Sequence, residues 1–188
     1  MDNSFYSEIE LSKLGLKDYG KNVLISKKCS IYSPDKISIG NNVRIDDFCV
    51  LSGNIILGSN IHISTFCALY GAHGVEMEDY SGISPRGTIF SAIDDFSGDY
   101  LIGPVHPKNL TNVIGGKVLL KKFVQIGCGS IVFPNVTISE GTVIGALSLV
   151  KNSLPEWGIF AGIPCKRIRA RSRKVLEIEA GYQYNSSE

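Results

Sequence analysis

An aliphatic side chain returns every six residues along most of this chain. It stands at Ile39, Ile45, Leu51, Leu57, Ile63 and Leu69, stops near Ile89, and resumes at Leu120, Ile126, Val132, Ile138, Ile144 and Val150. Hexapeptide periods of this kind predict an all-β fold, a parallel β-helix. Each period supplies one short strand and a bend. Three strands close a triangular coil of eighteen residues, the spacing from Ile39 to Leu57. Successive coils stack about 4.8 Å apart through parallel ladders that satisfy the interior backbone. The ladder aliphatics point inward and pile on their equivalents above and below. Gly40, Gly58, Gly127 and Gly145 follow the ladder residue at the bend, where a Cβ is costly.

Both ends of such a stack need caps. Residues 5–14 show helical spacing at Phe5, Ile9 and Leu14 and predict a short helix within an N-terminal cap of residues 1–20. The β-helix then occupies residues 21–155. Residues 156–188 form a C-terminal strand and helix, in which KRIRARSRKVLEIEAGY after Pro164 predicts a helix ending near Gly181. The closing YNSSE reads as a frayed tail. The 188 residues suit one domain.

Three interruptions break the beat. Ile31 to Ile39 and Leu69 to Met77 each span eight residues, and about thirty residues separate Ile89 from Leu120. Counting three faces per coil puts Ile31, Leu51, Leu69 and Ile89 on one face, so the insertions leave from one corner of the prism. The segment YGAHG (70–74) then lies one coil below the root of the long loop at about 90–118. A loop of that length is commonly functional or disordered. A bulge stacked beneath its root favours function and brings His73 near Asp94 and Asp95.

Charge changes this picture little. Nineteen Lys and Arg against eighteen Asp and Glu leave a formal net charge of +1, which points to neither nucleic acid nor a membrane surface. The N-terminus carries early acidic residues and no long apolar core, and no segment reaches the length of a membrane span, so the cytoplasm is expected. Five cysteines, an odd count, argue against a closed disulfide framework. Cys29, Cys49 and Cys67 each sit four residues after a ladder aliphatic, in a slot otherwise filled by small or β-branched residues. That predicts buried, stacked thiols, with no metal site.

The hexapeptides IGNNVR, LGSNIH and IGCGSI, the long loop and the closing WGIFAGIPCKRI together resemble the left-handed β-helix acyltransferases. The subgroup they are most similar to is the galactoside, maltose and O-antigen sugar O-acetyltransferases, over roughly residues 20–170. The left hand follows from the resemblance alone. The resemblance also implies a homotrimer, active sites between subunits, a saccharide acceptor, and acetyl-CoA lying along the C-terminal coils as co-substrate. Carried onto this chain, Ala146, Ser148, Ala161 and Gly162 would line the pantetheine groove, and Lys166 and Arg169 would meet the CoA phosphates. Backbone N–H groups around Gly127–Gly129 or Gly145 would face the oxyanion.

One departure matters. In the galactoside group the catalytic histidine follows shortly after the last aliphatic before the loop, and here that stretch is IFSAIDDFSG, with Asp94 and Asp95 in its place. The chain has three histidines, His62, His73 and His106. His73 is the first candidate for general base, oriented by Asp94 or Asp95, because imidazole ordinarily titrates near neutrality. His62, pointing outward beside Ile63, is second, and His106 in the loop is third.

Transfer to a saccharide hydroxyl is the leading expectation. N-acetylation of a nucleotide-linked amino sugar stands close behind, since no basic pocket is clearly dedicated to a nucleotide diphosphate. Two other classes use this fold. A zinc hydratase of the γ-carbonic-anhydrase type would need three converging imidazoles, which 62, 73 and 106 do not supply. A pure scaffold would need neither the long loop nor the AGIPCKRI terminus.

Overall fold

The computed structural model describes residues 4–185 and shows a left-handed parallel β-helix of about seven coils. Face one stacks Ile25 on Ile45, Ile63, Ile83, Ile126, Ile144 and Phe160. Face two stacks Ile31 on Leu51, Leu69, Ile89, Val132 and Val150. Face three stacks Ile39 on Leu57, Met77, Leu120 and Ile138. All of these side chains except the half-buried Ile31 are buried and form one core. The hexapeptide beat is therefore the inward-facing column of each face, and the insertions share the corner between faces two and three.

The corners turn on residues in the left-handed region. Between faces three and one these are Asn22, Asn42 and Asn60, with φ of 55°, 54° and 60°. Asparagine tolerates that conformation better than most residues. Its carboxamides also tie coil to coil: Asn22 Nδ2 donates to Asn42 Oδ1 at 3.0 Å, and Asn42 Nδ2 donates to Asn60 Oδ1 at 3.2 Å. In the later coils Tyr80, Phe123, Gly141 and Trp157 take the same place.

The cysteines behave as core. Cys49 and Cys67 are buried and Cys29 half-buried, and the thiols donate to Asp46 O, Ser64 O and Ser84 O one coil on. Contact with Cys49 and burial push the Cys29 thiol up. Cys29 pulls Cys49 down, but Cys67 and burial outweigh it and raise Cys49 to about 12.

Three expected elements come out differently. The N-terminal helix is a single turn, Glu8–Leu11, where the sequence suggested 5–14. Ser7 and Glu10 close it with a capping box, and a helix this short draws its stability from packing. Leu11 is the buried residue, while Ile9 is 71% exposed and Phe5 bridges antiparallel to Ser26. The loop at 90–118 is not structureless, because Ala92–Asp94 pairs antiparallel with Val113–Gly115 and a 3₁₀ turn spans Lys108–Leu110. The basic segment after Pro164 begins as a strand. Lys166–Ala170 pairs antiparallel with Gly158–Ala161, and the helix follows at Lys174–Asn185. The final three residues of the expected tail lie outside the described residues.

Candidate active site

The root of the long loop is a built junction. Phe90 stacks on Tyr70 of the coil below, with ring centroids 5.2 Å apart. The buried Ser91 hydroxyl donates to Tyr70 O at 2.8 Å and accepts from the His73 backbone N–H at 2.8 Å. Ser91 thus pins the bulge at 72–74 to the first residues of the hairpin. The exposed His73 ring lies across Gly115, where any side chain would run into it. The sequence reading that sets His73 beside the loop root holds.

The two aspartates divide. Asp95 is spent on the loop: it accepts from Ser97 N–H and from Asn112 Nδ2, both at 2.8 Å, and these bonds hold its carboxyl below the usual range. Among the described residues Asp94 Oδ1 accepts just one long 3.4 Å contact, from Gly103 N–H. Neither carboxylate hydrogen-bonds to His73 among the described residues. Asp94 instead stands at the edge of a recess of about 300 Å³ lined by Phe90, Ala92, Ile93, Phe96 and Phe133.

His62 is engaged elsewhere. Its Nε2 lies 2.7 Å from Asp46 Oδ2, on the open side of face one, and Arg44 Nε donates to the other Asp46 oxygen at 2.7 Å. Burial pushes the Asp46 carboxyl up, but these two partners outweigh it and hold it low. His106 is half-buried in the loop, beyond Asp94.

At the corner between faces one and two the side chains become smaller toward the C-terminus. Successive coils place Lys27, Asp47, Thr65, Pro85, Cys128, Ala146 and Gly162 in one column. Ala146 and Gly162 are exposed and Ala161 half-exposed, as a shallow groove requires. Ser148, expected in that groove, is buried. Its hydroxyl accepts from Gly162 N–H at 3.0 Å and donates to Ala146 O at 3.3 Å, so it braces the corner from inside. Gly127 and Gly145 are small first for packing: a Cβ on either would fall within 2.9 Å of the next coil. Lys166 and Arg169 are exposed on the terminal strand. Arg171 is half-buried; its Nη1 donates to Phe123 O at 2.7 Å and Gly141 O at 3.0 Å, and burial lowers its guanidinium from the ordinary value.

Ser84, at the same corner one residue after Ile83, drew no attention in the sequence. It occupies the slot that holds Ser26 and Ser64 in earlier coils. Ser26 gives its hydroxyl to Asp47 at 2.5 Å, whereas the half-exposed Ser84 hydroxyl makes no hydrogen bond among the described residues. Among those residues no group of three His, Cys, Asp or Glu is placed to hold a metal ion. Among the described residues no helix is long and apolar enough to cross a membrane.

No family model matches the chain. It is 46% identical over 183 residues to a dTDP-4-amino-4,6-dideoxy-D-glucose acyltransferase of Escherichia coli, covering 96% of this chain and 95% of that one. It superposes with a TM-score of 0.98 and 55% identity on AntD, an N-acyltransferase from Bacillus cereus solved with dTDP and 3-hydroxybutyryl-CoA, over 99% of this chain and 100% of that one. Other AntD structures carry S84C with dTDP-4-amino-4,6-dideoxyglucose and coenzyme A, or D94A with dTDP and coenzyme A. The acetyltransferase domain of PglB from Neisseria gonorrhoeae, 16% identical with a TM-score of 0.60 over 78% of this chain and 57% of that one, shares the fold. Fold, corner and relatives define an enzyme that transfers an acyl group from a CoA thioester. The chain belongs to the hexapeptide-repeat sugar acyltransferases.

Proposed function

We propose that the enzyme acylates the amine of a dTDP-linked 4-amino-4,6-dideoxyhexose, with acetyl-CoA as donor. The observation that carries this reading is near full-length similarity to N-acyltransferases of that acceptor, in a chain that has Ser84 and Asp94 at the two numbers altered in AntD. The saccharide hydroxyl expected from the sequence gives way to an amine, because the relatives matching most of the chain act on an amino sugar.

Asp94 holds the amine through its carboxylate at the edge of the recess. His73, against the same hairpin, takes the proton as the C–N bond forms and the thioester C–S bond breaks. CoA leaves as the thiolate. The donor lies along the other corner, past Ala146, Ala161 and Gly162, with Lys166 and Arg169 toward its phosphates.

Ser84 belongs to the donor corner and Asp94 to the hairpin corner, with the whole of face two between them. We take one bound pair of substrates to reach both corners where two chains meet. This supports a homotrimer with shared sites, as the family resemblance implies.

The test is a thiol-release assay with acetyl-CoA, run in parallel on dTDP-4-amino-4,6-dideoxyglucose, free amino sugars and free hydroxyl sugars. Release with the first alone is expected. Release with a hydroxyl sugar, and none with the amino sugar nucleotide, would overturn the reading.

A further inference from the structure

We infer that the recess beside Asp94 seats the 6-deoxy end of the acceptor, so that Phe90, Ala92 and Phe133 make the enzyme selective for 6-deoxy over 6-hydroxy amino sugars. This rests on the acceptor reading above and adds to it the residues that choose the sugar.

The recess has one charged group. Asp94 stands at its edge, and the other lining side chains, Phe90, Ala92, Ile93, Phe96 and Phe133, are apolar. Its volume of about 300 Å³ sits at the low end of small-molecule sites, which run from about 300 to 1,000 Å³. It therefore suits one sugar ring, with the nucleotide outside. The walls are braced: Phe90 stacks on Tyr70, and the Lys151 ammonium lies over the Phe133 ring at 6.0 Å. The hairpin backbone at Ala92, Ile93 and Asp94 is paired in register with Gly115, Ile114 and Val113.

The chemistry of the sugar matches this layout. In a 4-amino-4,6-dideoxyhexose the amine is on C4 and the methyl is on the adjacent C5. A carboxylate that holds the amine finds the methyl directly beside it. Here a carboxylate is flanked by an aromatic and aliphatic wall with no side-chain hydroxyl or amide. A 6-hydroxyl placed against that wall loses its water and gains no partner.

The experiment compares kcat/KM for dTDP-4-amino-4,6-dideoxyglucose and dTDP-4-amino-4-deoxyglucose with acetyl-CoA. We expect the 6-hydroxy sugar to be poorer by about 10- to 100-fold, the range an apolar pocket reaches against an added hydroxyl. Phe133→Tyr and, separately, Ala92→Ser put a hydroxyl on the wall and should narrow that ratio by about fivefold or more. A merely structural role would slow both sugars equally and leave the ratio unchanged. Equal kcat/KM for both sugars in the wild type would overturn the inference while leaving the acceptor reading intact. A shift in preference among acyl-CoA donors, with the sugar ratio unmoved in both variants, would also overturn it, because the recess would then hold the acyl chain. Failure of both sugars as acceptors would sink the underlying reading itself.

Discussion

Arg171 joins the terminal strand to the body of the β-helix. Its guanidinium donates to the carbonyls of Phe123 and Gly141, and its own amide donates to Trp157 O at 2.9 Å. These are the left-handed corner residues of three successive coils. One arginine therefore rivets the last three coils where the asparagine ladder has ended. Arg171→Ala removes both side-chain bonds and leaves two corner carbonyls to water. Hydrogen bonds to a charged donor contribute about 1.5–3 kcal/mol each, so two of them, roughly halved for partial exposure, come to about 1.5–3 kcal/mol. In a chain of this size each kcal/mol moves Tm by roughly 2–4 °C, which gives a fall of roughly 3–12 °C. Arg171→Lys keeps a cation but exchanges the planar fork for a compact ammonium, and should recover less than half of that. Differential scanning calorimetry reads the shift. Hydrogen exchange should show the loss first at Val143–Ile144 and Gly158–Ala161, because coil stability is passed between neighbours. A Tm within about 1 °C of wild type for Arg171→Ala, with unchanged exchange in those strands, would refute the rivet.

Three further outcomes are expected. His73→Ala should lower kcat by about 10²–10⁴-fold with the fold intact, whereas His62→Ala, whose ring is held by Asp46, should change kcat by less than about threefold; the reverse order would exchange their roles. Glu10, lowered from 4.5 to about 2 chiefly by the Lys27 ammonium and then by Ser7, favours the folded cap above its ordinary pKa and loses that contribution as pH falls through about 2. Carboxyl-detected NMR should place its midpoint there and Lys27→Ala should raise it, and a wild-type midpoint near the ordinary value would contradict the pairing. In native protein a thiol reagent should reach exposed Cys128 first and Cys49 and Cys67 only after unfolding, as peptide mass spectrometry would show; early labelling of Cys49 would mean the stacked thiols are not core.

How far the sequence carried depends on where each residue points. Ile45, Leu51 and Met77 face a closed interior, so their apolar character is forced and their spacing reveals the coil. Counting from them placed Leu69 beneath Ile89, and with it His73 beside the loop root. The strand Ala92–Asp94 was hidden because its partner, Val113–Gly115, lies across a long excursion and both are partly exposed. The basic run KRIRA reads equally as a helix face or an edge strand, and only pairing with Gly158–Ala161 decides it. Ser84 was invisible for a different reason. It keeps the repeat's register, and it differs from the buried, Asp47-bonded Ser26 in being half-exposed with no side-chain hydrogen bond among the described residues, a condition Ser64 shares. Ser148 shows the converse, a small residue read as groove lining that the corner itself requires.

The most direct test of the central claim is the structure of the product. Incubation with acetyl-CoA and dTDP-4-amino-4,6-dideoxyglucose, followed by mass spectrometry and NMR, should show one added acetyl group and an amide proton coupled to H4 of the sugar. An acetyl group carried as an ester on a ring hydroxyl, with the amine left free, would contradict the account.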